Sequence, residues 1–184
     1  MCSSDLADEA LLDTYQPERE PHARSLIELA IGMGRIVCAL DRAAAAARDQ
    51  EMLARQAAGA PALPPLRTAP FADGCILAGS AGSGELFPQP TCGQGPRRLR
   101  LDDGLGDAPW LISRRPAVGG PGIALGSLDE PALAPFRVDL LRWLDAHAAE
   151  AVLVRPDRYV FGTGEPSALA AAWSVALKPM RQTA

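Results

Sequence analysis

Residues 79 to 84 read Gly79-Ser80-Ala81-Gly82-Ser83-Gly84, and closely spaced glycines let backbone N–H groups approach an anion. The stretch fits no nucleotide pattern. The chain holds no G-x-G-x-x-G, and its only lysine, Lys178, follows no glycine, which excludes a Walker A loop. A G-x-S-x-G nucleophile elbow is also missing, so the stretch reads as a surface loop. Asp102-Asp103, beside Arg97, Arg98 and Arg100, suggests a carboxylate pair for acid–base or metal chemistry. Neighbouring side chains on a strand point to opposite faces, however, so a turn after Leu101, continued by Gly104 and Gly106, is the better reading. His22 and His147 have no visible orienting partner in the sequence, and a catalytic base needs one. Cys2, Cys38, Cys75 and Cys92 form no C-x-x-C pair, which removes zinc-ribbon and thioredoxin-type redox chemistry. Cys38, on a helical face, and Cys75, beside Ile76 and Leu77, read as small buried apolar residues. No catalytic, cofactor-binding or metal-binding residue is assigned.

The elements that would position such residues fall into two parts. Residues 6–15 read as the end of an amphipathic helix that offers Leu11, Leu12 and Tyr15 to a core, punctuated by Pro17 and Pro21. From His22 to Leu40 the stripe Leu26, Ala30, Met33, Val37, Leu40 follows one helical face, with Gly32 and Gly34 marking a bend or a close contact. Ala43 to Ala58 continues as a helix that ends at Gly59. Ala60 to Pro70 contains Pro61, Pro64, Pro65 and Pro70 and reads as a stiff connector. Beyond it, Trp110–Ser113, Phe136–Leu140, Ala151–Val154 and Tyr159–Phe161 are predicted strands, and Ser167–Leu177 a closing helix behind Pro166. Arg155-Pro156-Asp157-Arg158 is a tight connection that makes Ala151–Phe161 a β-hairpin.

The whole has 184 residues, 17 glycines, 17 prolines and a net charge of -4. That suits one core, or one core and an attached segment. An acidic chain with interspersed signs carries no nucleic-acid footprint. No apolar run approaches the roughly 20 residues of a membrane span, and no signal-peptide pattern opens the chain, so a cytoplasmic location without membrane contact is expected.

Three blocks resemble one family. Leu11-Leu12-Asp13-Thr14-Tyr15-Gln16-Pro17-Glu18-Arg19-Glu20-Pro21-His22-Ala23 is similar to the segment after the flavin-binding region of class A FAD-dependent aromatic monooxygenases. Leu86-Phe87-Pro88-Gln89-Pro90 with Leu99-Arg100-Leu101-Asp102-Asp103-Gly104-Leu105-Gly106 resembles the start of their thioredoxin-like C-terminal domain. Ala151-Val152-Leu153-Val154-Arg155-Pro156-Asp157-Arg158-Tyr159-Val160-Phe161-Gly162, the most specific block, resembles the 3-(3-hydroxyphenyl)propionate hydroxylase group, with phenol hydroxylases and polyketide-tailoring oxygenases as relatives.

The resemblance implies an α/β fold in which an N-terminal helical segment precedes a thioredoxin-like domain. Intact enzymes of this kind bind FAD through a Rossmann-type domain, reduce it with NADH or NADPH, and hydroxylate a phenolic ring. None of those motifs can be carried onto this chain, so FAD, NAD(P)H and the phenolic substrate belong to the intact enzyme. The expected organisation is residues 7–59 as a helical tail of the FAD and substrate domain, 60–70 as linker and 71–184 as the thioredoxin-like domain. Cys2-Ser3-Ser4-Asp5-Leu6 is what the sequencing-adapter end TGCTCTTCCGATCT encodes in one frame, so residues 1–6 are expected to be an assembly scar on a truncated reading frame. The fragment is expected to be inactive alone; the other reading is a non-catalytic thioredoxin-like module for dimerisation or interaction, with a homodimer as its assembly. A helical tail detached from a flavin domain leaves Leu26, Ile27, Met33, Ile36, Val37 and Leu40 exposed or loosely covered. The Arg155–Tyr159 turn either specifies the fold or places this domain against the rest of the enzyme.

Overall fold

A computed structural model describes residues 12–60, 69–95 and 98–177. The expectations for residues 1–6, Leu11 and most of the proline-rich connector, and those for Cys2, Arg97 and Lys178, fall outside these residues. Two compact units are present: Glu20–Ala69 forms one, and the described residues up to Arg19 group with those from Pro70 onward in the other. The sequence reading kept 7–59 together, whereas Glu18 and Arg19 associate with the α/β unit through ion pairs described below.

Helix α1 spans Tyr15–Val37 and α2 spans Arg42–Ala57. Pro17 and Pro21 do not divide the first helix as expected. Pro17 lies in the first turn, where the backbone N–H has no intrahelical acceptor, and Pro21 is tolerated inside. Asp41 caps α2 by accepting from the Ala44 N–H at 2.8 Å. Among the described residues of the Glu20–Ala69 unit little is buried. Leu26, Ile27, Val37 and Leu40 are 43, 60, 73 and 96 % exposed, and Met33 and Ile36 are half-buried, so the apolar stripe is open as expected. A Cβ on Gly32 or Gly34 would meet nothing within 4 Å, so neither glycine serves a close contact. Cys38 is exposed, contrary to its buried apolar assignment.

The α/β unit contains β1 (Thr91–Cys92), β2 (Leu99–Arg100), α3 (Leu101–Leu105), β3 (Trp110–Ser113), β4 (Ala124–Ser127), a 3₁₀ turn (Ala134–Phe136), α4 (Arg137–Ala146), β5 (Ala151–Val154), β6 (Val160–Gly164) and α5 (Pro166–Ala176). β1 and β2 pair antiparallel, and the main sheet has the order β4-β3-β5-β6. β3 pairs parallel with β4 and antiparallel with β5, and β5–β6 is the predicted hairpin. Side-chain alternation sorts each strand onto two faces. Trp110, Ile112, Val152, Val154 and Val160 meet Phe136, Leu140 and Leu144 on one side; Leu111, Leu153 and Phe161 meet Leu169 and Trp173 of α5 on the other.

Phe136–Leu140 is not the predicted strand. Its alternating pattern mimics one, but Phe136, Leu140 and Leu144 recur every four residues, and that face is the one buried. β4 was missed because Leu125 is its only large apolar residue. The outer edge of β6 is paired rather than open: the Leu77 and Gly84 N–H groups donate to Phe161 O and Val160 O at 2.6 and 2.9 Å. No helix among the described residues is long and apolar enough to cross a membrane.

Candidate functional site

The Arg155–Arg158 turn is where the three resembling blocks meet. Pro156 presets the first corner, the Arg158 N–H donates to Arg155 O at 2.9 Å, and the Arg155 N–H donates to Tyr159 O at 2.8 Å. Arg158 completes the turn in the left-handed region at φ 69°, and the ladder shifts register between Leu153 and Val154, as in a turn followed by a bulge. Arg158 is not glycine there, because its side chain is engaged.

On one side of the turn, Arg155 donates from Nη1 and Nη2 to both carboxylate oxygens of Glu18, at 2.7 and 2.9 Å. The Cys75 N–H donates to the same carboxylate at 2.6 Å, and Arg155 Nη1 also donates to Cys75 O at 3.0 Å. Glu18 is only 3 % exposed. A bidentate pair of this kind fixes both side chains and offsets the cost of burying them. Asp157 closes the group by accepting from Arg155 Nη2 at 2.9 Å and from Arg19 Nη2 at 3.2 Å. Gly74 is required beside it: at φ +99° a Cβ would lie 2.1 Å from Glu18 Cγ. The guanidinium of Arg155 is held above its ordinary range: burial alone would lower it, but the bonds to Glu18 and the charge of Asp157 prevail.

On the other side, Arg158 Nε donates to Asp102 Oδ1 at 2.8 Å and Nη2 to Gly106 O at 2.9 Å, with the guanidinium 3.8 Å above the Trp110 ring. Asp103 turns away to accept from the Arg100 N–H at 2.8 Å, capping α3. The two adjacent carboxylates thus serve separate partners, although on a short helix and not the turn expected. The Phe87 N–H donates to Arg158 O at 2.8 Å, which joins the remaining block.

None of this assembles a reacting group. Burial pushes the Cys75 thiol above its usual range, against the pull of Arg155, so it is not an activated thiolate. His147 does have a partner, contrary to the sequence reading: Nε2 lies 3.2 Å from Glu85 Oε2 and Nδ1 2.8 Å from Trp143 O. Both ring nitrogens are therefore engaged, and the ring stacks on Trp143 at 4.0 Å. His22 lies in α1, its Ser25 neighbour donating to the His22 carbonyl at 2.7 Å. In the glycine-rich loop the Ser80, Ser83 and Gly84 N–H groups donate to Leu77 O, Ser80 O and Val160 O, so these three are already engaged and do not face an anion. Among the described residues no group of three or more His, Cys, Asp or Glu is placed to hold a metal ion. Sequence reasoning missed Glu18 as the partner of Arg155. Its only signal was that both lie in blocks resembling the same family.

Residues 132–178 match the HcaD C-terminal domain family. The chain is similar to a probable NADH-specific resorcinol 4-hydroxylase of Rhodococcus jostii, 34 % identical over 178 residues that cover 87 % of this chain and 33 % of that protein. A 3-(3-hydroxy-phenyl)propionate/3-hydroxycinnamic acid hydroxylase of Mycobacterium avium is 30 % identical, over 85 % of this chain and 33 % of the relative. The corresponding protein of Burkholderia cenocepacia is 30 % identical over 95 % of this chain and 39 % of its own length. The chain spans about a third of the length of the curated relatives it matches.

Proposed function

We propose that this chain is the C-terminal part of an FAD-dependent, NAD(P)H-using monooxygenase that hydroxylates phenolic compounds such as 3-(3-hydroxyphenyl)propionate, and that it contributes a non-catalytic, thioredoxin-like module. The observation that carries the reading is the similarity of 87 % of the chain to a third of a resorcinol hydroxylase. A parallel strand pair followed by an antiparallel hairpin, with α4 and α5 on opposite faces, supports the thioredoxin-like assignment. The exposed stripe on α1 supports a further domain that covers it.

The residues present do not fit FAD. In the glycine-rich loop the Ser80, Ser83 and Gly84 amides donate to protein carbonyls, and the charges around Arg155 are already paired. Flavin chemistry accordingly belongs to another part of the enzyme, and the Glu18–Arg155 pair is a positioning contact between segments 137 residues apart. A cytoplasmic location accompanies this reading.

Sequencing the source DNA upstream of codon 7 tests it. The expected result is an open frame that continues upstream and carries G-x-G-x-x-G. An in-frame stop followed by a promoter and a start codon at Met1 would overturn it. In that case the module reading, a homodimerising interaction domain built on a two-sided core of its own, takes its place.

A further inference from the structure

Beside the Glu18–Arg155 pair, Leu12, Tyr15, Pro109, Pro121, Trp173 and Leu177 wall an open cleft of about 510 Å³. Clefts of roughly 300–1,000 Å³ with apolar walls and few polar groups are the usual form of small-molecule sites. Leu12 and Tyr15 are 66 and 64 % exposed, so this apolar surface is presented to solvent. The charges around it are paired with one another. Both Glu18 oxygens accept from Arg155, and Asp157 accepts from Arg155 and Arg19, so two guanidinium groups face two carboxylates. An ionic ligand would give up its water there without gaining a free counter-charge, whereas a neutral ring would not. Proline and aromatic side chains supply flat surfaces against which a ring packs well.

We propose that this cleft binds a neutral aromatic small molecule of one or two rings, held by apolar contact with Tyr15, Trp173 and the flanking prolines. The site binds without reacting, since the one thiol on its wall, Cys75, is buried. The proposal rests on the cleft alone and stands apart from the monooxygenase reading.

The test is a ¹⁵N–¹H NMR titration of the full chain with 2-naphthol, with 2-naphthoate as the charged ring of the same shape. Saturable shifts are expected at the Tyr15, Cys75 and Gly122 amides and the Trp173 indole. Binding of 2-naphthoate should be weaker on the order of tenfold, since its carboxylate is left without a partner. Tyr15→Ala lies on the exposed rim and should keep a dispersed spectrum while weakening 2-naphthol about fivefold through loss of ring contact. Absence of saturable shifts at these groups, equal affinity for the two rings, or a Tyr15→Ala protein that binds as the wild type does would each overturn the proposal.

Discussion

Arg155→Ala is the perturbation that most strains the account of how the three blocks are joined. It removes five hydrogen bonds: two to Glu18, two to Asp157 and one to Cys75 O. Glu18, 3 % exposed, keeps only the Cys75 N–H. A buried carboxylate stripped of its counter-charge costs about 3–5 kcal/mol, a large share of the roughly 5–15 kcal/mol that holds a domain together. The reverse deletion is milder. In Glu18→Met, Arg155 retains Asp157 and Cys75 O, so the loss should be about 1–3 kcal/mol. Replacing both, Glu18→Met with Arg155→Ala, removes the buried charges together and should lie within about 2 kcal/mol of wild type. The single losses sum to at least ~4 kcal/mol, so the coupling is at least ~2 kcal/mol, within the range for directly bonded residues. Urea unfolding followed by tryptophan fluorescence reports on the relevant unit, because Trp110, Trp143 and Trp173 all belong to it. The reasoning is refuted if Arg155→Ala lies within about 0.5 kcal/mol of wild type, the range of an ordinary surface change, or if the single effects simply add.

Three further outcomes follow from local geometry. Ala148, just past the end of α4, sits at φ 49°, so Ala148→Gly should raise stability by about 0.5–1 kcal/mol, read as a higher Tm. Gly84→Ala should cost at least ~2 kcal/mol in urea unfolding, because at φ +77° its Cβ would fall 2.2 Å from Phe71 O. Glu165 caps α5, and its carboxyl is held below the usual range by the Ser167 hydroxyl and the Ser167 and Ala168 N–H groups. Since the folded value is the lower one, this stabilisation is present above the unfolded carboxylate range and is lost as pH falls through the folded value. The Tm gap between wild type and Glu165→Ala should therefore be open at neutral pH and close in acid; a gap that does not change with pH contradicts the assignment.

The hairpin was legible because Val152 and Leu153 alternate faces and Pro156-Asp157 is a turn by local chemistry alone. Helix α5 was legible through Pro166. What local chemistry left ambiguous was misread. Phe136-Arg137-Val138-Asp139-Leu140 alternates like a strand, and only Leu144, four residues on, shows that a helical face is being buried. Pro17 and Pro21 looked like breaks because the sequence does not say where a helix begins. The β4 strand hid behind Gly126, whose missing side chain makes room for Leu133. Glu18 had no local signal at all: its partner lies 137 residues away, and a buried charge pair leaves no periodic trace. The resemblance named the right segments without indicating that they bind one another.

The central claim is that this chain contributes a module while flavin chemistry resides elsewhere in the enzyme. Titrating the purified 184-residue chain with FAD, then adding NADH and 3-(3-hydroxyphenyl)propionate, tests it most directly. The account predicts that no flavin is retained after gel filtration and that NADH is not consumed above the protein-free rate. A yellow protein carrying stoichiometric FAD and oxidising NADH in response to the phenolic acid would contradict it.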